Sequence, residues 1–286
     1  MKQIEIHQPE TQQEICSSLM KYKDSAILHA GGTDMLVRLR NGLINPACII
    51  DLSKVDSLKS FEVLSNGGIL IGAMVTISAL SSHSVIQSKY QALHEALQSI
   101  GSLQIRNRAT LVGNICNASP AADSVPALLT YDGKANIRGC NGVRSLYIED
   151  LITGPGETSL APDEFVESIE LPEPNCNGSS AYMKIGRRKA VDCSIVGVAV
   201  RLGIDKNVRV AFGAVTAKPI RAHSIEKILS GRKWDNNLIE HAATLVRSEI
   251  MPIDDIRASK EYRADMSVVL FKKVFDMAHQ RLAEVV

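Results

Sequence analysis

His29-Ala30-Gly31-Gly32-Thr33-Asp34 lies between a short apolar run, Ala26 to Ala30, and a helix-like run, Asp34 to Arg40, that Gly42 closes. Two adjacent glycines at a strand-to-helix junction let the backbone come close to a ligand and expose successive N–H groups. A helix start just beyond adds a positive dipole end, which favours phosphate. The same dipeptide also serves as a plain tight turn, and the segment alone leaves both readings open. Working outward, Thr11 to Tyr22 has helical spacing of Ile15, Leu19 and Met20, with Glu10 and Glu14 suited to a helix start. Ala47 to Leu52 is a second apolar strand. This alternation predicts parallel strands joined by a helix.

From Leu58 the pattern changes. Phe61 to Leu64 and Gly68 to Ile71 read as strands around Ser65-Asn66-Gly67, a hairpin signal. Helical patterns cover Ser84 to Gln87 and Gln91 to Ile100, and Gly101 to Ser119 reads as irregular. A helix is expected from Pro120 to about Tyr131, with Ser119 as its cap and proline in its first turn. Strands follow at Lys134 to Arg138, Val143 to Tyr147 and Glu164 to Leu171. The loop from Pro172 to Ser179 marks the expected domain boundary. Beyond it, Ala181 to Ile185, Ser194 to Leu202 and Val208 to Ala214 suit an antiparallel sheet. Helices near Arg221 to Leu229, Leu238 to Glu249 and Tyr262 to Arg281 finish the chain.

The second informative segment runs from Thr110 through Gly113, Asn114, Cys116 and Asn117 to Ser119-Pro120-Ala121-Ala122-Asp123. Asp123 has two readings: a carboxylate stabilising a helix dipole, or an acceptor for ribose hydroxyls or an adenine amine. A Rossmann nicotinamide site needs GxGxxG after a strand, and no such string occurs. Two separated glycine segments fit instead a dinucleotide held between two α/β subdomains.

Together these segments are more specific. AGGTD near residue 30, followed about eighty residues later by TLVGNICNASPAAD, resembles the flavoprotein subunits and domains of molybdenum hydroxylases. That family includes xanthine, carbon monoxide and nicotinate dehydrogenases, and the chain looks most like the bacterial xanthine dehydrogenase FAD-binding subunits. The similarity continues through Ile105-Arg106-Asn107, Thr153-Gly154-Pro155-Gly156 and Tyr182 to Arg188. It resumes in Ala211-Phe212-Gly213-Ala214, Pro219-Ile220-Arg221 and Ser259 to Arg263, covering nearly the whole chain.

The resemblance implies an α+β flavoprotein. Its FAD-binding domain, about 1–175 with subdomains near 1–57 and 58–175, is expected to have the vanillyl-alcohol oxidase (PCMH) type of fold. A C-terminal domain of antiparallel sheet and helices, about 176–286, follows. It further implies that Leu28, His29, Ala30, Gly31, Gly32, Thr33 and Asp34 wrap the FAD pyrophosphate. Thr110, Gly113 and Asn114 would form a second phosphate-contacting loop, with Cys116 facing the cofactor. Asp123 would bind ribityl or ribose hydroxyls and Ile100 would lie against the isoalloxazine ring. Phe165 and Val166 match contacts near the adenine end, and Lys184 matches a lysine that reaches the cofactor. No catalytic residue is expected on this chain. The implied role is electron transfer, between an iron–sulfur subunit fed by a molybdopterin subunit and NAD or another acceptor, in oxidation of a purine such as xanthine. One departure stands out: the family usually has Gly-Gly-Asn, and here Val112 holds the first position. A β-branched residue is costly there if positive φ is required.

Composition limits other classes. With 45% apolar and 22% charged residues, the 286-residue chain is that of an ordinary soluble protein. A formal charge of +1 provides no field for nucleic acid or anionic lipid. The N-terminal stretch lacks a signal peptide's apolar region, and no apolar run spans a membrane, so the expected location is cytoplasmic. The six cysteines form no CxxC pair, reading as reduced thiols rather than cluster ligands, and the seven histidines lack metal-ligand spacing. Gly186-Arg187-Arg188-Lys189 reads first as a solvated loop. Cys116 reads as a packed thiol and Trp234 as a packing residue. Two rival functions are an assembly subunit without functional FAD and a self-sufficient flavin oxidoreductase.

Overall fold

Thr11 is extended and its hydroxyl accepts from the Glu14 N–H, so the Gln12–Tyr22 helix begins where its capping residue falls. A computed structural model describes residues 4–174, 178–188 and 190–285. Ile15, Cys16 and Leu19 form the helix's buried stripe. They pack beside a three-stranded sheet of β1 (Glu5–His7), β2 (Ala26–His29) and β3 (Cys48–Asp51), ordered β1-β3-β2. Both pairings are parallel, as the alternation predicts; β1 went unmarked because three residues carry too little pattern. His29 and Asp51 are register partners at the carboxyl ends of β2 and β3. The first glycine loop therefore leaves the sheet at the edge where open α/β folds bind ligands.

The second unit is built on an antiparallel sheet. Its strands are β4 (Phe61–Val63), β5 (Ile69–Gly72), β6 (Lys134–Gly139), β7 (Gly142–Tyr147) and, after the small pair β8 (Ile152–Gly154) and β9 (Glu157–Thr158), β10 (Phe165–Leu171). The order is β4-β5-β10-β6-β7. The β4–β5 turn uses Gly67 at φ +81°. Two expectations need correction. Gly101 to Ser119 is not irregular, because Ser102 and Thr110 cap short helices at Leu103–Arg106 and Leu111–Cys116. The helix expected from Pro120 starts only at Ser124; Ser119 instead closes a turn by accepting from the Ala121 N–H.

The C-terminal sheet is an antiparallel meander of β11 (Ser179–Ile185), β12 (Val196–Leu202), β13 (Val208–Gly213) and β14 (Ile220–Arg221). Arg221, expected to open a helix, pairs with Ala211 instead, and the His223–Leu229 helix follows. The helix expected over Leu238 to Glu249 breaks at Leu245 into Asn236–Thr244 and Val246–Glu249. Lys260–Val285 is one long helix.

This sheet is buried on both faces, and strand alternation divides it between two cores. Tyr182, Ala199 and Ala211, which are register neighbours, belong to the N-terminal core beside the Gln91–Ser99 and Ser124–Thr130 helices. Ala181, Val200 and Val210 belong to the C-terminal core with Phe271 and Phe275 of the long helix. Trp234 packs edge-on against Phe275 and donates to the Leu229 carbonyl. Residues 175–177 of the expected boundary loop, Cys176 among them, and Lys189 of the basic run lie outside the described residues. Arg187 and Arg188 are exposed. Among the described residues no helix is long and apolar enough to cross a membrane.

Candidate functional site

The two glycine segments, distant in sequence, touch. A Cβ on Gly31 would sit 2.0 Å from the Arg108 carbonyl oxygen and 2.9 Å from the Ala109 Cα. Glycine here lets the first loop lie directly on the chain leading into Thr110, a demand of packing as much as of any ligand. Gly32 takes φ +72°, and its missing side chain leaves room for the His29 ring. Among the described residues the N–H groups of Gly31, Gly32, Thr33 and Asp34 find no protein acceptor. Four consecutive open N–H donors at a turn are the kind of group that binds an anion. Leu28 and Ala30 pack against the core, and Asp34, before the Met35–Arg40 helix, is exposed and makes no capping bond.

The second segment is helical where it enters. Thr110, 2% exposed, caps the Leu111–Cys116 helix by accepting from the Gly113 N–H at 3.0 Å. Val112 is a buried residue in that helix's first turn and is not among the positive-φ positions. The strain expected of it is therefore absent. Gly113 is exposed, and the sole neighbour its Cβ would crowd is the Thr110 hydroxyl. Asn114 accepts from the Ser124 hydroxyl at 2.6 Å. Burial pushes the Cys116 thiol up to about 12, which keeps it protonated and suits a packed role over a redox one.

Asp123 occupies the N-cap position of the Ser124–Thr130 helix without capping it. Its carboxylate turns to the C-terminal sheet, accepting from Tyr182 Oη at 2.9 Å, Lys184 Nζ at 2.6 Å and the Ser194 hydroxyl. Lys184 spends its remaining donors on the carbonyls of Ser99 at 2.9 Å and Asp192 at 3.1 Å. Burial, then the Asp123 charge, pushes the Tyr182 hydroxyl well above its ordinary range, so it stays a donor. Asp123 and Lys184 are thus brought together, with Lys184 also reaching the Ser99 carbonyl next in the chain to Ile100, whose own carbonyl accepts from Arg106. Phe165 and Val166 are buried at the start of β10, in register with Arg138 and Ile137 of β6.

Sequence reasoning missed Tyr182, Ser194 and Asp192 as partners of this cluster, and Asp51 as the partner of His29. The spacing of Tyr182 and Lys184, two apart on one strand and so on one face, was the available signal. Nothing local marks Ser194. Other motif segments also converge here: the Gly156 N–H donates to the Ala118 carbonyl and the Ala214 N–H to the Pro120 carbonyl. The buried Arg263 guanidinium accounts for another, donating to the carbonyls of Ile195 and Ala214.

Comparison with known proteins gives this geometry its context. A family model described as the FAD binding domain in molybdopterin dehydrogenase matches residues 2–174. A second, the CO dehydrogenase flavoprotein C-terminal domain, matches residues 180–278. This chain belongs to the molybdenum hydroxylase flavoprotein family. A xanthine dehydrogenase FAD-binding subunit of Escherichia coli O157:H7 is 34% identical, over 91% of each chain. A glyceraldehyde dehydrogenase medium chain of Sulfolobus acidocaldarius is 32% identical, over 86% of this chain and 88% of its own. The solved carbon monoxide dehydrogenase of Hydrogenophaga pseudoflava superposes with a TM-score of 0.93 at 25% identity, covering 98% of both chains.

The flavoprotein is therefore an oxidoreductase subunit, its cofactor is FAD, and the expected α+β fold holds. The donor set fits that cofactor: an open row of backbone N–H groups suits a diphosphate, and the exposed face of Gly113 lets a ligand approach a helix N-terminus. Bound FAD supplies the redox chemistry, and the polypeptide supplies position and electrostatics.

Proposed function

We propose that this chain is the electron-transfer subunit of a three-component molybdenum hydroxylase. It takes electrons from an iron–sulfur subunit, itself served by a molybdopterin subunit, and delivers them to NAD or another acceptor. Purine oxidation, with xanthine as the substrate, is the favoured reaction, on the strength of the 34% identical relative. The observation that carries the reading is the state of the site's ionisable groups. Asp123, Lys184, Tyr182 and Ser194 satisfy one another, so the site is built to hold a cofactor and leaves none of these groups poised to work on a substrate. In the arrangement we propose, Leu28 to Asp34 hold the pyrophosphate, and Thr110, Gly113 and Asn114 close over it, with Cys116 packed behind. Asp123 meets the ribityl hydroxyls with the acceptor capacity left on Oδ2, Lys184 holds that carboxylate in place beside the cofactor, Ile100 backs the ring, and Phe165 and Val166 flank the adenine. A cytoplasmic location accords with these partners.

The test uses the purified full chain loaded with FAD. Alone it should reduce an artificial dye at the expense of NADH and leave xanthine untouched. Xanthine oxidation should appear once the iron–sulfur and molybdenum partners are added. Oxidation of xanthine or another heterocycle by the isolated, metal-free chain would establish a self-sufficient flavin enzyme instead.

A further inference from the structure

His29 is held in a way that backbone wrapping of a ligand does not require. Asp51, its register partner on β3, collects donors on both oxygens: Gln8 Nε2 at 3.0 Å, the Ser53 N–H at 3.1 Å, the Ser53 hydroxyl at 3.0 Å and His29 Nδ1 at 3.2 Å. Burial pushes the Asp51 carboxyl up, but the bonds from Gln8, His29 and Ser53 outweigh it and hold it at about 2. A permanent carboxylate only accepts, so Nδ1 must carry a proton and donate. That fixes the ring and leaves Nε2 as its free end. Nε2 lies 2.5 Å from where a Cβ on Gly32 would stand, against the turn whose N–H groups lack protein acceptors. Both side chains are mostly buried, at 17% exposure each. Among the described residues Nε2 has no protein partner.

We propose that the His29 imidazole is a side-chain donor to the FAD diphosphate, with Asp51 as its positioning residue. This rests on the reading of Gly31 to Asp34 as the diphosphate cradle. With Nδ1 already protonated, a neutral ring would turn a lone pair on Nε2 toward the phosphates. Taking one proton from solvent converts Nε2 into a charge-assisted donor, so FAD binding draws a proton onto the ring. Of the other charged residues in and beside the two loops, Asp34 and Arg108 are exposed, Asp123 is paired with Lys184, and none of the three forms an ion pair with His29.

Titration calorimetry of the full-length apoprotein with FAD, in buffers of differing ionisation enthalpy, reads affinity and proton uptake together. The wild type should take up a fraction of a proton on binding FAD near neutral pH. His29→Asn keeps an amide donor toward Asp51 and removes the Nε2 end; it should bind FAD about tenfold more weakly, with no uptake. His29→Gln restores a neutral donor near the loop and should recover most of the affinity while still showing no uptake. Wild-type affinity and proton uptake in His29→Asn would overturn the proposal. Gly32→Val separates the two readings: if it abolishes binding while His29→Asn does not, the cradle stands and the histidine role fails. If Gly32→Val binds FAD normally, the diphosphate sits elsewhere and both readings fall.

Discussion

Asp123 gathers three donors on one carboxylate, and Lys184, its closest charged partner, has only two carbonyls besides. The carboxylate is 8% exposed and the lysine side chain 16%, so neither charge has water in reserve. Removing one member leaves the other buried and uncompensated, which costs about 3–5 kcal/mol. Asp123→Ala should therefore lower the unfolding free energy of the apoprotein by that amount in urea titrations. The double variant Asp123→Ala/Lys184→Met should lose much less than the sum of the two single changes. Additive losses would show that the pair contributes little as a pair.

At the scale of the element, the Leu111–Cys116 helix explains how a valine is accommodated at position 112. Thr110 supplies the cap, so the chain is already helical at residue 112, and a helical position takes a β-branched residue without positive φ. The Val112 side chain then packs into the core, at 6% exposure. Val112→Gly should destabilise the protein by about 2–3 kcal/mol through lost burial and added backbone freedom, with FAD affinity unchanged. Thermal unfolding and a flavin titration of the same preparation measure both. A tighter complex at unchanged stability would mean that the loop is built for glycine after all. Gly31 is the contrasting case, since its constraint comes from the Arg108 carbonyl and not from its own helix or turn.

Over the whole molecule, the two cores are joined by more than chain connectivity. Glu95 accepts from the Tyr182 N–H at 2.7 Å and from Arg281, and Arg281 also donates to the Ser180 carbonyl at 2.6 Å. This ties a helix of the FAD-binding part to β11 and to the end of the last helix. With β11 to β13 contributing one face to each core, the halves should unfold as one cooperative unit. Arg281→Ala should shift that single transition downward by about 1–3 kcal/mol. Calorimetry resolving two separate transitions in the unaltered protein would refute the coupling.

The strands, most helices and the two glycine segments were legible in the sequence because each is a local matter: apolar period, a capping hydroxyl, a turn that needs glycine. The motif segments were enough to mark the family. The short capped helices inside Gly101 to Ser119 were hidden, since four to six residues hold barely one turn of pattern. What only the tertiary structure decided was partnership. Gly31 against Arg108, His29 against Asp51, and Asp123 against Tyr182, Lys184 and Ser194 are contacts between segments far apart in the chain. A residue's own neighbours fix its backbone. The charge and hydrogen-bonding state of a buried side chain depend on which distant groups the packed fold brings within about 3 Å of it.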